Sequence, residues 1–127
     1  MLYDHVDFRV GSVARTRPLY DALFEAMGYT DLHQDSDGVG YHRPNETGDD
    51  EFFWIVEEPN HHPNGTRVAF AAHTRAEVDL LSTIAKNADA HAYEAPHLCT
   101  DYGANYYASF FEDAEGNKLE ICCRRPE

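Results

Sequence analysis

The segment that decides the fold spans residues 106–123 and reads Tyr-Tyr-Ala-Ser-Phe-Phe-Glu-Asp-Ala-Glu-Gly-Asn-Lys-Leu-Glu-Ile-Cys-Cys. Its first end, 106–112, is rich in the aromatic residues that favour strands, and its second end, 118–123, opens with the polar and apolar alternation of a strand. Residues 113–117 between them have the Asp, Gly and Asn composition of a turn. The segment therefore predicts a β-hairpin near the end of the chain.

The residues before this hairpin predict a strand, a helix and another strand. Residues 67–72 alternate as a strand does, residues 74–88 have the pattern of a helix, and residues 91–95 form a further short strand. A Pro- and Gly-containing stretch, 59–66, precedes them and is typical of a linker.

The first part of the chain has the same order of elements. A strand is expected at 3–10, and Ser12 is a helix start signal for a helix that ends at Gly28. Pro18 favours a regular helix that begins close to it. Short strands follow at positions 30–34, 39–43 and 51–56.

The repeated order of strand, helix and three strands indicates two similar modules in one α+β domain, at about 1–58 and 67–125. Thr16-Arg17 at the first helix is matched by Thr74-Arg75 at the second. Helices that cover one face of each sheet would leave the opposite faces free to form a shared cleft.

Strand alternation assigns side chains to these two faces. The helix-covered face is expected to hold Val6, Phe8, Phe53, Ile55, Val68, Phe70, Leu119 and Ile121. The opposite face is expected to hold His5, Asp7, Arg9, Trp54, Arg67, Tyr107, Ser109, Lys118 and Glu120.

A histidine and a glutamate on one open face can bind a divalent metal, and a carboxylate there can also move protons. The alternative is a polar cluster in which His5, Glu120 and Arg67 satisfy one another. His61 and His62 lie in the linker and could reach a site, and the remaining histidines, His33 and His42 among them, lie near strand ends or loops. No His-x3-His or Cys-x2-Cys spacing is present.

Composition limits the classes of partner. The 127 residues include 23 Asp and Glu against 10 Lys and Arg, and 43% of them are hydrophobic, which indicates one folded, acidic domain. The net charge of −13 argues against nucleic acid and anionic membranes as partners. The absence of a signal pattern and of a disulfide framework points to the cytoplasm.

Lysine is rare among the basic residues of the chain. Lys86 and Lys118 are the only lysines, and the other eight cations are arginines. Many carboxylates with few lysines are typical of surfaces adapted to concentrated salt, where screening removes the self-repulsion. We therefore expect a halophile-like, salt-rich cytoplasm, with an ordinary acidic cytosolic protein as the alternative.

Three segments carry a resemblance to a known family. Residues 3–10, 68–78 and 106–120 are similar to the opening strand, the second module and the closing hairpin of the vicinal oxygen chelate superfamily. This superfamily includes glyoxalases, bleomycin resistance proteins and extradiol dioxygenases. Pro96 and Tyr102 fall where a glyoxalase-like subgroup has a proline-containing loop and a tyrosine, and the resemblance covers essentially the whole chain.

The resemblance implies two βαβββ modules that form a cup-shaped mixed sheet with helices on its outer face. It also implies metal ligands on the first and last strands of each module, and His5 and Glu120 fall on two of these positions. Arg67 and Trp54 stand at the other two, and neither coordinates a cation. The resemblance therefore implies at most an incomplete site for a divalent metal.

The function that the resemblance implies is a glyoxalase-like protein that acts on or binds a small polar or carbonyl-containing metabolite. Glu120 is expected to transfer protons, His5 to contact metal or substrate, and Arg67 to bind an anionic group. Further substrate contacts are expected from Arg9, Asp7, Trp54, Tyr107 and Tyr41.

Two alternatives remain open. One is a non-catalytic drug- or metabolite-binding protein of the bleomycin-resistance type. The other is a metal-dependent lyase or dioxygenase that takes a further ligand from His61, His62 or a partner chain. The resemblance also implies a homodimer.

Overall fold

The computed structural model describes residues 2–44, 47–48 and 50–127, and the chain divides into two compact units, Met1–His62 and Pro63–Glu127. We call them unit 1 and unit 2. Over the described residues, each unit contains one helix and one four-stranded sheet.

Unit 1 has a sheet in the order β1-β4-β3-β2, in which β1 runs parallel to β4 and the other neighbours are antiparallel. Its elements follow the chain order strand, helix and three strands. Their bounds are β1 His5–Val10, α1 Val13–Ala26, β2 Asp31–Gln34, β3 Gly38–His42 and β4 Phe52–Glu57.

Helix α1 begins where the sequence places its cap. The Ser12 side chain accepts a hydrogen bond from the backbone N–H of Arg15 at 3.2 Å, and Gly28 follows the helix with a φ of +89°. The expectation that regular helix starts near Pro18 is wrong, because α1 begins at Val13 and Pro18 lies inside it. Thr16 helps to stabilise this first turn, since its hydroxyl donates to the Ser12 carbonyl at 2.9 Å.

The core of unit 1 lies between α1 and one face of its sheet. Phe24 stacks on Tyr41 with 4.5 Å between ring centroids, and Phe53 packs against both Phe24 and Phe8. The other face of the sheet, which we call the open face of unit 1, carries the polar residues of β1.

Unit 2 repeats this topology. Its sheet has the order β5-β8-β7-β6, with β5 parallel to β8. The bounds are β5 Arg67–Ala71, α2 Arg75–Asn87, β6 His91–Leu98, β7 Tyr107–Glu112 and β8 Lys118–Cys123. Strand β6 is longer than expected and continues through Pro96, with register shifts against β7.

The predicted hairpin is present, and a buried aspartate organises its turn. Asp113 Oδ1 accepts hydrogen bonds from the backbone N–H groups of Glu115 and Asn117 at 2.9 and 3.0 Å. The Asn117 side chain donates to Asp113 Oδ2 at 2.8 Å, and Gly116 adopts a φ of +94°. A carboxylate that accepts three such bonds fixes the spacing of β7 and β8.

The two units confirm the α+β class and the two βαβββ modules. A cup formed jointly by both sheets, within a single domain, stays a prediction. Among the residues that the structure describes, no helix has the length and apolar character needed to cross a membrane.

Candidate functional site

The open face of unit 1 brings four of the predicted site residues into one cleft. The register of β1 and β4 pairs His5 with Phe52, Asp7 with Trp54 and Arg9 with Val56. Together these strands line a cleft of about 460 Å³. Asp35 and Asp37, from the turn before β3, also line it. The predicted face of His5, Asp7, Arg9 and Trp54 is therefore confirmed, and their roles stay predictions.

This cleft is acidic. Among the described residues, its lining includes four carboxylates, those of Asp4, Asp7, Asp35 and Asp37, and one guanidinium, that of Arg9. His5 is about half exposed, and its Nδ1 lies 2.8 Å from Asp4 Oδ1. This hydrogen bond raises the pKa of His5, which favours the protonated ring. A cleft of this charge attracts cations rather than anions.

Trp54 owes its position to a glycine on the neighbouring strand. Gly40 pairs with Trp54 in the antiparallel ladder, and a Cβ at Gly40 would lie 2.5 Å from the indole Cε2. The indole ring can lie against β3 only because Gly40 has no side chain.

The predicted role of Tyr41 as a ligand contact is contradicted by its position. Tyr41 is fully buried beneath α1, where its hydroxyl donates to Asp21 Oδ1 at 2.7 Å. It alternates with His42 along β3 and so faces the helix. Tyr41 therefore offers no surface to a ligand on the open face.

Unit 2 places Glu120 and Arg67 in a separate cleft of about 350 Å³, which we call the arginine cleft. Glu120 is only 5% exposed and lies on β8, opposite Phe110 of β7 and Ala69 of β5. The side chains that line this cleft are Arg67, Tyr102, Tyr106, Phe110, Glu120 and Arg124. The predicted face of Glu120 and Arg67 is confirmed.

Tyr106 holds the Glu120 carboxylate. Its hydroxyl donates a short hydrogen bond to Glu120 Oε2, and burial together with this bond raises the pKa of Tyr106 well above its ordinary value. Among the described residues, no group donates to Glu120 Oε1. One carboxylate oxygen is thus committed to Tyr106, and the other is available to a ligand.

Two guanidinium groups line the arginine cleft, each against an aromatic ring. Arg67 Cζ lies 4.9 Å from the centroid of Phe110, and Arg124 Cζ lies 4.6 Å from that of Tyr106. Within the described part of the chain, neither guanidinium forms an ion pair or hydrogen bond, so the expected alternative of an Arg67–Glu120 pair is not found. Two cations beside one carboxylate do not suit a metal ion at Glu120.

The predicted face of Tyr107 and Ser109 is wrong. The Tyr107 hydroxyl donates to Asp79 Oδ1 on α2 at 2.7 Å, and Ser109 Oγ lies 2.8 Å from Ser82 Oγ on the same helix. The ladder pairs Phe110 with Glu120, so even-numbered residues of β7 share the face of Glu120. Tyr107 is therefore replaced in the arginine cleft by its neighbour Tyr106.

A third polar cluster lies on β2 and β3 and was not predicted. Asp31 Oδ2 lies 3.1 Å from His33 Nε2 and 3.0 Å from His42 Nδ1. These hydrogen bonds, that of His42 foremost, lower the pKa of Asp31. The available signal was the Asp-x-His spacing within a strand, which differs from the His-x3-His and Cys-x2-Cys spacings of compact zinc motifs.

Comparison with solved structures identifies the architecture. A glyoxalase/bleomycin resistance protein from Albidiferax ferrireducens T118 superposes with a TM-score of 0.78, at 22% identity over 99% of this chain and 100% of that one. The chain has the glyoxalase/bleomycin resistance fold. No protein-family profile and no curated protein matches its sequence.

Two further structures with this glyoxalase/bleomycin resistance fold share less sequence identity with the chain. A glyoxylase/bleomycin resistance protein/dioxygenase domain from Frankia sp. EAN1pec has a TM-score of 0.65 at 14% identity, over 98% of both chains. The fosfomycin resistance protein FosX from Mesorhizobium loti also has a TM-score of 0.65, at 15% identity, over 94% of this chain and 88% of that one. Proteins of this fold are thus described by several different functional names.

Proposed function

We propose that this chain is a glyoxalase-like protein that binds and acts on a small carbonyl-containing anion in the arginine cleft. The observation that carries the proposal is that the buried carboxylate of Glu120 lines one cleft with the guanidiniums of Arg67 and Arg124, which have no ion-pair partner among the described residues. In a chain with net charge −13, this concentration of positive charge favours an anionic ligand.

The arginines supply the binding energy for the anionic group. A planar guanidinium can donate two parallel hydrogen bonds to a carboxylate or a similar oxyanion. The rings of Phe110 and Tyr106 restrict the motion of the two guanidinium groups. The arginine side chains therefore lose less conformational entropy when they bind a ligand. Arg67 is the predicted anchor, and Arg124 is an addition from the structure.

Glu120 supplies proton transfer to a ligand held in this way. The Glu120 side chain lines the same cleft as both arginines, and its Oε1 accepts no hydrogen bond from the described residues. A carboxylate in hydrogen-bond reach of a carbon acid can accept its proton and, once protonated, can donate that proton to a carbonyl oxygen. This gives the predicted catalytic role of Glu120 a chemical basis.

A binding protein without catalysis is the second candidate, and the contact between Tyr106 and Glu120 favours it. This short hydrogen bond fixes the carboxylate and occupies Oε2. The aromatic rings of Tyr102, Tyr106 and Phe110 also suit simple enclosure of a ligand. The metal-dependent lyase or dioxygenase, with His5 as a ligand, stays a prediction from the sequence.

The test uses pyruvate and methylglyoxal, which share a ketone and differ in carrying a carboxylate or an aldehyde. Binding is measured by NMR shift perturbation, and turnover by the glyoxalase-type isomerisation of methylglyoxal with glutathione. We expect Arg67→Gln to weaken pyruvate binding about tenfold or more, since a charged hydrogen bond contributes about 1.5–3 kcal/mol. Arg125→Gln, an exposed arginine in the same unit, is the matched control.

The variant Glu120→Gln separates the two candidates. Loss of turnover with retained pyruvate binding supports the enzyme, and binding without turnover in the wild-type chain supports the binding protein. If wild-type protein binds neither probe, or if Arg67→Gln and Arg125→Gln behave alike, the proposed function is wrong.

A further inference from the structure

Strands β2 and β3 bring two imidazoles and a carboxylate together on the open face of unit 1. Asp31 and His33 are two residues apart on β2 and so share a face, and the ladder places His42 opposite Asp31. The three ligand atoms, Asp31 Oδ2, His33 Nε2 and His42 Nδ1, all lie within 4.8 Å of one another.

Aromatic contacts hold both imidazole rings in place. The Phe52 ring stacks on His42 with 4.4 Å between centroids and an angle of 16° between planes. The same ring meets His33 edge to face at 5.2 Å. His42 is only 9% exposed, so its ring orientation is set by packing before any ligand arrives.

The far side of His42 has the partner that metal-bound histidines usually have. His42 Nε2 lies 2.8 Å from Asp50 Oδ1. A carboxylate at one ring nitrogen fixes the tautomer that leaves the other nitrogen free to bind a metal, and it increases the basicity of that nitrogen. In His42 the other nitrogen is Nδ1, which lies 3.0 Å from Asp31 Oδ2.

We propose that Asp31, His33 and His42 form a binding site for a divalent first-row transition metal such as Zn²⁺. Ligand atoms around a tetrahedral zinc ion are about 3.4 Å apart, given metal–ligand distances near 2.1 Å. The Asp31–His33 and Asp31–His42 distances of 3.1 and 3.0 Å need only a small expansion to reach this value.

The site has one coordination position left for water or a ligand. The Asp31 and His33 side chains are 47% and 46% exposed, so solvent reaches the cluster from their side. Three protein ligands with an open fourth position are typical of catalytic rather than structural zinc. His33 also lines the acidic cleft with Asp35 and Asp37, whose charges favour the approach of a cation.

This site is independent of the proposed function, because none of its residues belongs to the arginine cleft. It also differs from the ligand positions that the sequence predicted, since His5 lies on β1 and Glu120 on β8. A metal at His33 would therefore bind whether or not the chain binds pyruvate.

The experiment uses full-length protein treated with a chelator and then titrated with Zn²⁺ by calorimetry and with Co²⁺ by visible absorption. We expect one ion per chain and a Co²⁺ spectrum of tetrahedral type. His33→Gln should weaken Zn²⁺ binding at least 100-fold, and Asp50→Asn should weaken it about 10–100-fold through His42. His97→Gln, which changes an exposed histidine of unit 2, should leave binding unchanged.

The variants also identify the ion's location if binding occurs elsewhere. His33 is half exposed, so His33→Gln keeps the fold, which a far-ultraviolet circular dichroism spectrum checks. Zn²⁺ binding that survives His33→Gln, or that is lost in His5→Gln instead, overturns the proposal. Absence of Zn²⁺ binding to the wild-type chain at micromolar concentration overturns it as well.

Discussion

At the scale of single residues, the contact between Gly40 and Trp54 sets the position of an indole ring that lines the unit 1 cleft. Trp54 is the chain's one tryptophan, and its indole occupies the space that a side chain at position 40 would need. The fluorescence of Trp54 therefore reports on the cleft, and it can be used to test how Gly40 positions the indole.

We expect Gly40→Ala to displace the indole and to destabilise the protein by about 1–3 kcal/mol, because the new Cβ overlaps the ring. Fluorescence emission and urea unfolding measure the two effects. Gly65→Ala is the control, since a Cβ at Gly65 would meet open space. Equal stability and unchanged emission in both variants would contradict this explanation of Gly40.

Tyr107 gives a residue-scale prediction of pH dependence. Its hydrogen bond to Asp79 and its burial raise the pKa of Tyr107 to about 12. Because the pKa in the folded chain exceeds the unfolded value near 10, the contribution of this group to stability is complete below about pH 10. It is lost as the pH rises from 10 through 12.

Tyr107→Phe should therefore lower the free energy of unfolding at pH 8 and should reduce its further decline toward pH 12. Chemical unfolding at several pH values measures this difference. Tyr102→Phe removes an exposed hydroxyl and should leave the pH profile of the wild-type chain intact. A parallel decline for Tyr107→Phe and the wild-type chain would contradict the prediction.

The sequence predicts correctly which face of the sheet a side chain occupies where one face of the strand is polar and the other is apolar. The prediction fails where both faces of the strand are apolar. In β1, His5, Asp7 and Arg9 alternate with apolar residues, so their face follows from the sequence. Along β7 and the residue before it, Tyr106 and Phe110 are as apolar as Tyr107 and Phe111, so alternation cannot choose between the faces. The choice depends on the register with β8 and on partners such as Asp79, which lie elsewhere in the sequence.

At the scale of elements, α2 has a well-formed start. Thr74 Oγ1 accepts from the backbone N–H of Glu77 at 3.0 Å, and Glu77 Oε2 accepts from the backbone N–H of His73 at 2.7 Å. These two bonds satisfy two N–H groups around the first turn. Helix α2 then packs Val78, Leu81 and Ala85 on the unit 2 sheet.

Thr74→Ala should destabilise the protein by about 1 kcal/mol, because it leaves the Glu77 N–H without its capping oxygen. Thermal unfolding with circular dichroism measures this loss. Thr83→Ala is a matched control on the same helix, since its hydroxyl only reinforces an exposed turn through the Asp79 carbonyl. A Thr74→Ala variant no less stable than Thr83→Ala would contradict the capping role.

Both helices and the closing hairpin could be predicted because their caps and turns are local in sequence. The cluster of Asp31, His33 and His42 could not, because its ligand set depends on a cross-strand register between β2 and β3. The extension of β6 through Pro96 was missed for a similar reason, since pairing with β7 outweighs the local preference against proline.

At the scale of the whole molecule, charge dominates the surface. A net charge of −13 causes self-repulsion that salt screens, so the melting temperature should rise between low and molar KCl. Each kcal/mol of relief corresponds to roughly 4 °C in a chain of this size. A variant with Glu25→Gln, Asp89→Asn and Asp101→Asn should gain less from KCl, and no gain in the wild-type chain would contradict the salt hypothesis.

The confinement of strand pairing to single units predicts how the gene could be rearranged. Each described strand pairing lies within one unit, and in each unit the first strand runs parallel to the last. A circular permutant that begins near Pro63 and ends near His62 would therefore keep every strand beside its present neighbours. The order of the two halves along the polypeptide is thus free to change without altering either ladder, as expected if one ancestral half was copied and joined to itself.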